Sequence, residues 1–178
     1  MPPTAPFPTI TAAPSLDDGP LRAELERLLE DAVASGASVG YHAPLDPPLN
    51  RRYWDGVARL LAEGDHRLLL ARDEDGALLG SVQLALCGKP NGVHRAEVQK
   101  LLVHTAHRRR GVASALMAVL EETARGLGRT LLVLDTLKGD VGEPFYERSG
   151  WQRAGIIPGY TLEADGAHHD VILYYRHL

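Results

Sequence analysis

The segment richest in chemistry runs Val98-Gln-Lys-Leu-Leu-Val103, then His104-Thr-Ala-His-Arg108-Arg-Arg-Gly111-Val-Ala113-Ser114, and continues as a long amphipathic stretch. The amino end of a helix exposes unpaired N–H groups and about half a positive charge, so a helix built for stability alone usually begins on Asp, Glu, Ser or Thr. Here Arg108, Arg109 and Arg110 precede it and no carboxylate follows until Glu121, so the positive end is reinforced. Such an end repels itself unless an external anion occupies it, and Gly111 and Ala113 are small enough to let that anion reach the backbone amides. A phosphate or pyrophosphate is the expected guest. The pattern has neither the Gly-x-Gly-x-x-Gly of a dinucleotide fold nor the Gly-Lys-Ser/Thr of a nucleoside-triphosphate loop. A solvated arginine run is the plain alternative, and the strand-loop-helix setting argues against it.

Two carboxylates stand in strand-like surroundings. Asp135 follows Leu131-Leu-Val-Leu134 at the carboxyl end of an apolar run, the edge where open α/β sheets bind ligands. Glu97 lies on the neighbouring strand, where period-two alternation places it on one face with Gln99 and Leu101. A carboxylate in a sheet is costly unless paired or used. The two are therefore either a hydrogen-bonded pair fixing the sheet or groups that handle a proton or a cation. His104-x-x-His107 has no third ligand at a recognisable spacing, and His168-His169 reads as an exposed pair in a polar turn, so no metal is expected.

These groups need a scaffold, and the spacing of apolar residues predicts helices over 21–35, 49–63 and 112–127, closed by Gly36, Gly64 and Gly128. Between the first two helices lies a loop, 36–48, with prolines at 44, 47 and 48. Runs 67–72 and 78–86, separated by Asp73-Glu-Asp-Gly76, read as a hairpin. A strand at 95–103 follows, then one at 130–135 of the kind covered on both faces. A short helix at 144–149 leads to strands at 151–157 and 170–176, and a short strand is expected at 9–12 within a proline-rich amino end. The order contains no repeat. It describes one α/β domain over 9–178 behind a flexible tail, residues 1–8.

The 178 residues, 44% hydrophobic and 24% charged, suffice to bury one core without staples. Near-average composition excludes collagen, a long coiled coil and wholesale disorder. A net charge of −4 argues against a dedicated nucleic-acid binder. Cys87 is the single cysteine, the amino end lacks the basic and apolar runs of a signal peptide, and the longest apolar stretch, 112–120, falls short of the ~20 residues a bilayer requires. A soluble, cytoplasmic protein with no membrane or nucleic-acid partner is expected.

Arg108-x-x-Gly111-x-Ala113 resembles the Gln/Arg-x-x-Gly-x-Gly/Ala signature of the GNAT acetyltransferase superfamily, and the preceding strand, the helix, Phe145-Tyr146 and Gly150-Trp151 fall where that superfamily places its parts. Within it, Glu97-Val-Gln-Lys-Leu101, Leu134-Asp-Thr136, Gly139-Asp140, Glu143-Pro144 and Pro158-Gly-Tyr160 are most similar to the tabtoxin resistance acetyltransferases. The resemblance implies a central twisted mixed sheet of about six or seven strands flanked by about four helices. It further implies an acetyl-CoA-dependent N-acetyltransferase, monomeric or homodimeric, acting on a primary amine of a small molecule such as an amino-acid-like toxin or antibiotic.

On that resemblance the amides of Arg108, Arg109, Arg110, Gly111, Val112, Ala113 and Ser114 bind the CoA pyrophosphate. The strand edge at Leu101, Leu102 and Val103 pairs with the pantetheine arm like an added strand. Tyr146 becomes the acid for the departing thiolate, because a phenol with a pKa near 10 stays protonated at neutral pH. Asp135 and Glu97 each become base or substrate-ammonium ligand, and Tyr41, Tyr53 and Trp54, in and after the first interhelical loop, become either substrate contacts or, as aromatics at helical spacing, part of the core. One position departs from the family: the Asn that many members carry seven residues before the tyrosine is Gly139, so its pantetheine contact is absent or passes to Asp140. The alternative is a CoA-binding sensor or subunit without turnover; Asp135, Glu97 and Tyr146 occurring together favour the enzyme.

Overall fold

A computed structural model describes residues 7–178, so the first six residues of the expected tail lie outside the described residues. The strands are β1 (Thr9–Ala13), β2 (His66–Arg72), β3 (Leu78–Leu86), β4 (Arg95–Val103), β5 (Leu131–Leu137), β6 (Gln152–Leu162) and β7 (His168–His177). They form one sheet in the order β1-β2-β3-β4-β5-β7-β6. Every neighbouring pair is antiparallel except β4 and β5, which run parallel. Four helices flank the sheet: α1 (Gly19–Ala34), α2 (Pro47–Glu63), α3 (Val112–Gly126) and α4 (Gly142–Arg148). This is the single mixed α/β sheet with four helices that the resemblance implies.

The sheet is covered on both faces, as the alternation along β2 requires. Leu69 and Ala71 face the core layer that holds Leu116 and Leu120 of α3 and, further along the sheet, Tyr146 of α4. Leu68 and Leu70 point the other way, into Leu25 and Leu29 of α1 and Trp54 and Val57 of α2.

β4 breaks the alternation. Ser81 pairs with Leu102 but Gln83 pairs with Gln99, so Val82 faces two residues, Lys100 and Leu101, and Lys100 adopts φ 49°. This is a β-bulge, and the extra residue reverses the pleat beyond it. Val98 and Leu101 pack with the α3 layer, whereas Leu102 lies under α1 and α2. Glu97 and Gln99 do share a face, joined by a 3.0 Å hydrogen bond from Gln99 Nε2 to Glu97 Oε1. Leu101 does not join them, against the simple period-two expectation.

β4 and β5 stay paired only at Arg95–Leu131, Ala96–Leu132 and Glu97–Val133. Beyond Glu97 they part, because β5 continues its ladder with β7 through Leu137 while β4 remains bonded to β3. A cleft opens between residues 98–103 and 134–137, and the amino end of α3 follows the last residue of its β4 wall after one turn.

Several boundaries differ from the sequence expectation. Asp135 is inside β5, opposite Leu173, not at its end. α2 begins at Pro47, since prolines fit the first helical positions where no N–H is needed. β6 runs through Pro158, which an edge strand tolerates beside its irregular register between Ile157 and Thr161. His168 and His169 are both exposed, but they open β7 instead of lying in a turn.

Candidate active site

At the end of the cleft the backbone turns sharply. Arg109 has φ 60° and Gly111, the N-cap of α3, has φ 83°, a conformation that glycine adopts without strain. The first helical bond runs from the Ala115 amide to the Gly111 carbonyl at 2.9 Å. Among the described residues no backbone carbonyl accepts from the amides of Arg109 through Ser114, no side chain caps the helix and no acid stands in its first turn. Six successive amides at the positive end of a helix dipole form a site for an anion. A Cβ placed on Gly111 would meet nothing within 4 Å, so the approach is open.

Arg108 does something else. Its amide bonds the Thr105 carbonyl at 3.4 Å, its Nε donates to the Val103 carbonyl at 3.1 Å and its guanidinium donates to Ser35 Oγ at 2.7 Å. The free run of amides therefore starts at Arg109, and Arg108 staples the loop to the end of α1. Asp31 of α1 reinforces that staple by accepting from the Thr105 amide and hydroxyl at 2.9 and 2.8 Å. His104 and His107 meet edge to face with ring centroids 5.7 Å apart, and His104 Nδ1 accepts from the Ala106 amide. Among the described residues no group of three or more His, Cys, Asp or Glu is placed to hold a metal ion.

Along the cleft the sheet sorts the candidate acid and base onto opposite faces. Leu132 and Leu134 enter the α3 layer, which turns Asp135 toward the face of Glu97 and Gln99. Desolvation in the cleft pushes the Asp135 carboxyl above the usual carboxylate range, the charge of Glu97 adds to the rise, and Lys100 opposes it. Tyr146 comes from the α4 side, wedged among Phe145, Trp151 and Tyr174 with centroids 5.2, 5.8 and 5.9 Å away. Burial raises its pKa, with a further push from Asp135, so the phenol remains protonated at neutral pH. Leu102 is core, and with Leu101 and Val103 it contributes the backbone edge that faces the cleft.

The aromatic candidates divide. Trp54 is 0% exposed and belongs to the core under α1 and α2, which takes it away from any substrate surface. Tyr41 and Tyr53 lie at partly exposed positions, edge to face at 5.8 Å. The Tyr53 hydroxyl accepts a 2.7 Å hydrogen bond from Nε2 of the buried Gln83. Lys100, which motif reasoning passed over, places Nζ 5.7 Å from the Tyr53 ring centroid. Its trace in the sequence is Gln99-Lys100, two adjacent polar residues that interrupt the strand's alternation, and only the pairing with β3 resolves that interruption into a bulge. The loop carrying Tyr41 is tied across the site by His42 Nδ1 and Glu163, 3.6 Å apart. At the position of the missing Asn, the Gly139 amide donates to Glu143 at 2.7 Å, and Asp140 accepts from the Val141 amide at 2.6 Å, so Asp140 is engaged at the start of α4. A depression of about 650 Å³ between α1 and α2, lined by Arg22, Glu26, Arg51 and Asp55 among others, shares no residue with the cleft. Among the described residues no helix is long and apolar enough to cross a membrane.

Comparison with known proteins adds an independent line. The sequence model of the acetyltransferase (GNAT) family matches residues 25–151. An uncharacterized N-acetyltransferase from the hisH-hisA intergenic region of Azospirillum brasilense is 32% identical over 117 residues, 65% of this chain and 67% of the relative. A mycothiol acetyltransferase of Kineococcus radiotolerans is 35% identical over 136 residues, 76% of this chain but 41% of that longer protein. Among solved structures, a phosphinothricin acetyltransferase of Sinorhizobium meliloti in complex with acetyl-CoA superposes with a TM-score of 0.77 at 16% identity, covering 97% of this chain and 89% of that one. At such identity the likeness is one of fold.

Proposed function

The chain belongs to the acetyltransferase (GNAT) family, and from that membership we propose that it is an acetyl-CoA-dependent N-acetyltransferase acting on a primary amine of a small molecule. The observation that carries this reading is the parting of β4 and β5 beyond Glu97, with bare amides at one end and Asp135 and Tyr146 on opposite faces. Acetyl-CoA brings an acetyl group already activated as a thioester. The amides of Arg109 through Ser114 would hold its pyrophosphate, with Arg108 acting through the staple to α1, and the edge of Leu101, Leu102 and Val103, which has no strand partner on the β5 side, would pair with its pantetheine arm, the Val103 carbonyl being shared with Arg108. Similar proteins named for N-acetylation, mycothiol and phosphinothricin support a small acceptor. The sequence runs shared with the tabtoxin resistance group favour an amino-acid-like toxin or antibiotic, met in the cytoplasm.

The acceptor nitrogen must be neutral to attack, so a proton has to leave it. Asp135 accepts that proton: its carboxyl, raised by desolvation, is a stronger base than a solvated aspartate. Glu97 steadies the ammonium before the proton is lost. Tyr146, itself buried and protonated, holds a proton on the other face for the departing sulfur.

The test is thiol release from acetyl-CoA across a panel of amines, run beside thermal melting with CoA. Release with at least one amine is expected. A CoA-induced rise in Tm without release from any amine would instead describe a CoA-binding sensor, and the absence of both would remove the assignment.

A further inference from the structure

Lys100 is a cation in an unusual place. It stands at the β4 bulge with φ 49° and is half-buried, and its Nζ reaches between the Tyr53 ring and the chain at Gly40. A Cβ on Gly40 would lie 3.9 Å from that nitrogen. Among the described residues no carboxylate oxygen comes within 4.0 Å of it. Glu97 is instead bonded to Gln99, and Asp135 acts on Lys100 only at longer range. Withdrawing an ammonium from water without a counter-ion is unfavourable, and here burial pushes the lysine below its ordinary range despite two carboxylates on the same face. The same tyrosine offers a second donor. Gln83 donates to the oxygen of Tyr53, so the phenol's own proton is left to donate elsewhere. One face of the cleft thus carries two carboxylates at one place and an ammonium with a free O–H at another.

We propose that Lys100 and the Tyr53 hydroxyl form an anion anchor in the acceptor site, and that the acceptor is an amine bearing an oxyanion, an α-amino acid or close analogue, in preference to a simple amine or a polyamine. The proposal rests on the acetyltransferase reading above. The ammonium of such a substrate meets Glu97 and Asp135 while its oxyanion meets Lys100, so both charges of the zwitterion are matched by groups the fold already holds in place.

Matched pairs of α-amino acids and their carboxamides test it, with the full chain, acetyl-CoA and thiol release as the readout. The carboxamide's amine is the less basic of each pair, so the free nitrogen is more abundant in the amide, and a preference for the acid has to come from the anchor. The acid is expected to be favoured by about tenfold or more in kcat/KM, the scale of one charged hydrogen bond. Lys100→Met should collapse that ratio through KM of the acids, and Lys100→Arg should keep part of it. Both variants should keep the CoA-induced rise in Tm, which also reports that they fold. Equal use of acid and amide by the parent overturns the proposal. So does an equal loss on both in Lys100→Met, which would place Lys100 in the chemistry. If neither acid nor amide reacts while CoA still raises Tm, the anchor is wrong and the CoA site stands. If CoA has no effect either, the underlying acetyltransferase reading fails first.

Discussion

On the role proposed for it, Asp135 sets stability against function. Its carboxyl has a higher pKa in the folded chain than in the unfolded one, so its contribution to stability is fully present below the unfolded value and is lost as pH rises through the folded value. At pH 7 the ionised group is a net burden, desolvation and Glu97 outweighing the attraction of Lys100. Asp135→Asn should therefore melt higher than the parent at pH 7, with the difference closing below about pH 4, where the parent is protonated too. The same variant should lose kcat wherever the acceptor amine is charged and recover as rising pH deprotonates the amine unaided. Glu97→Gln should act mainly on KM, as expected when an anchor is lost. If both leave kcat/KM within about twofold of the parent, the two carboxylates only fix the sheet. Tyr146→Phe removes one hydroxyl from a packed aromatic cluster, so Tm and CoA affinity should hold while kcat falls about 10²- to 10⁴-fold. A drop smaller than about threefold in single-turnover rate would return Tyr146 to packing alone.

At the scale of elements, one glycine lies against the β4 wall of the cleft and another at the end of the cleft. Gly80 on β3 lies so close to β4 that an added Cβ would stand 2.5 Å from the Leu102 carbonyl oxygen. Backbone cannot step aside as a side chain can, so Gly80→Ala should push β4 away just beyond its bulge. It should lower unfolding free energy by about 1–3 kcal/mol in urea titration, and a neutral result would mean that the two strands have slack. Gly111→Asp tests the other end. The new carboxylate would place a negative charge beside the bare amides at the expense of backbone strain at φ 83°, so Tm should fall somewhat while the fold persists and the CoA-induced rise in Tm disappears. Normal CoA binding by that variant would move the pyrophosphate site elsewhere. The helices, the hairpin and the arginine-glycine motif were legible in the sequence because each is encoded by neighbours: an apolar period, a turn tetrapeptide, a glycine stop. The bulge was not. Its mark is one extra residue relative to β3, and that appears only when two distant segments pair.

For the whole molecule, a ligand bound only by the native chain stabilises it by RT ln(1 + [L]/Kd), about 2.7 kcal/mol at a hundredfold excess. In a chain of this size that is a rise of several degrees, and millimolar CoA should produce it in a melting experiment. No shift would sink the cofactor assignment. By itself the sequence determined the order of elements, the α/β class, the family resemblance and the residue types of the site, since propensity, period and short motifs are local properties. Tertiary structure decided what those residues do. Sheet pairing placed Asp135 within a strand and parted β4 from β5, and packing sealed Trp54 in the core. A contact between α1 and the loop turned Arg108 from a free charge into a staple, while the bulge brought Lys100 beside Tyr53. Each outcome depends on which segments far apart in the chain share a face or an edge, a choice made by burying the whole core at once and written in no single stretch of residues.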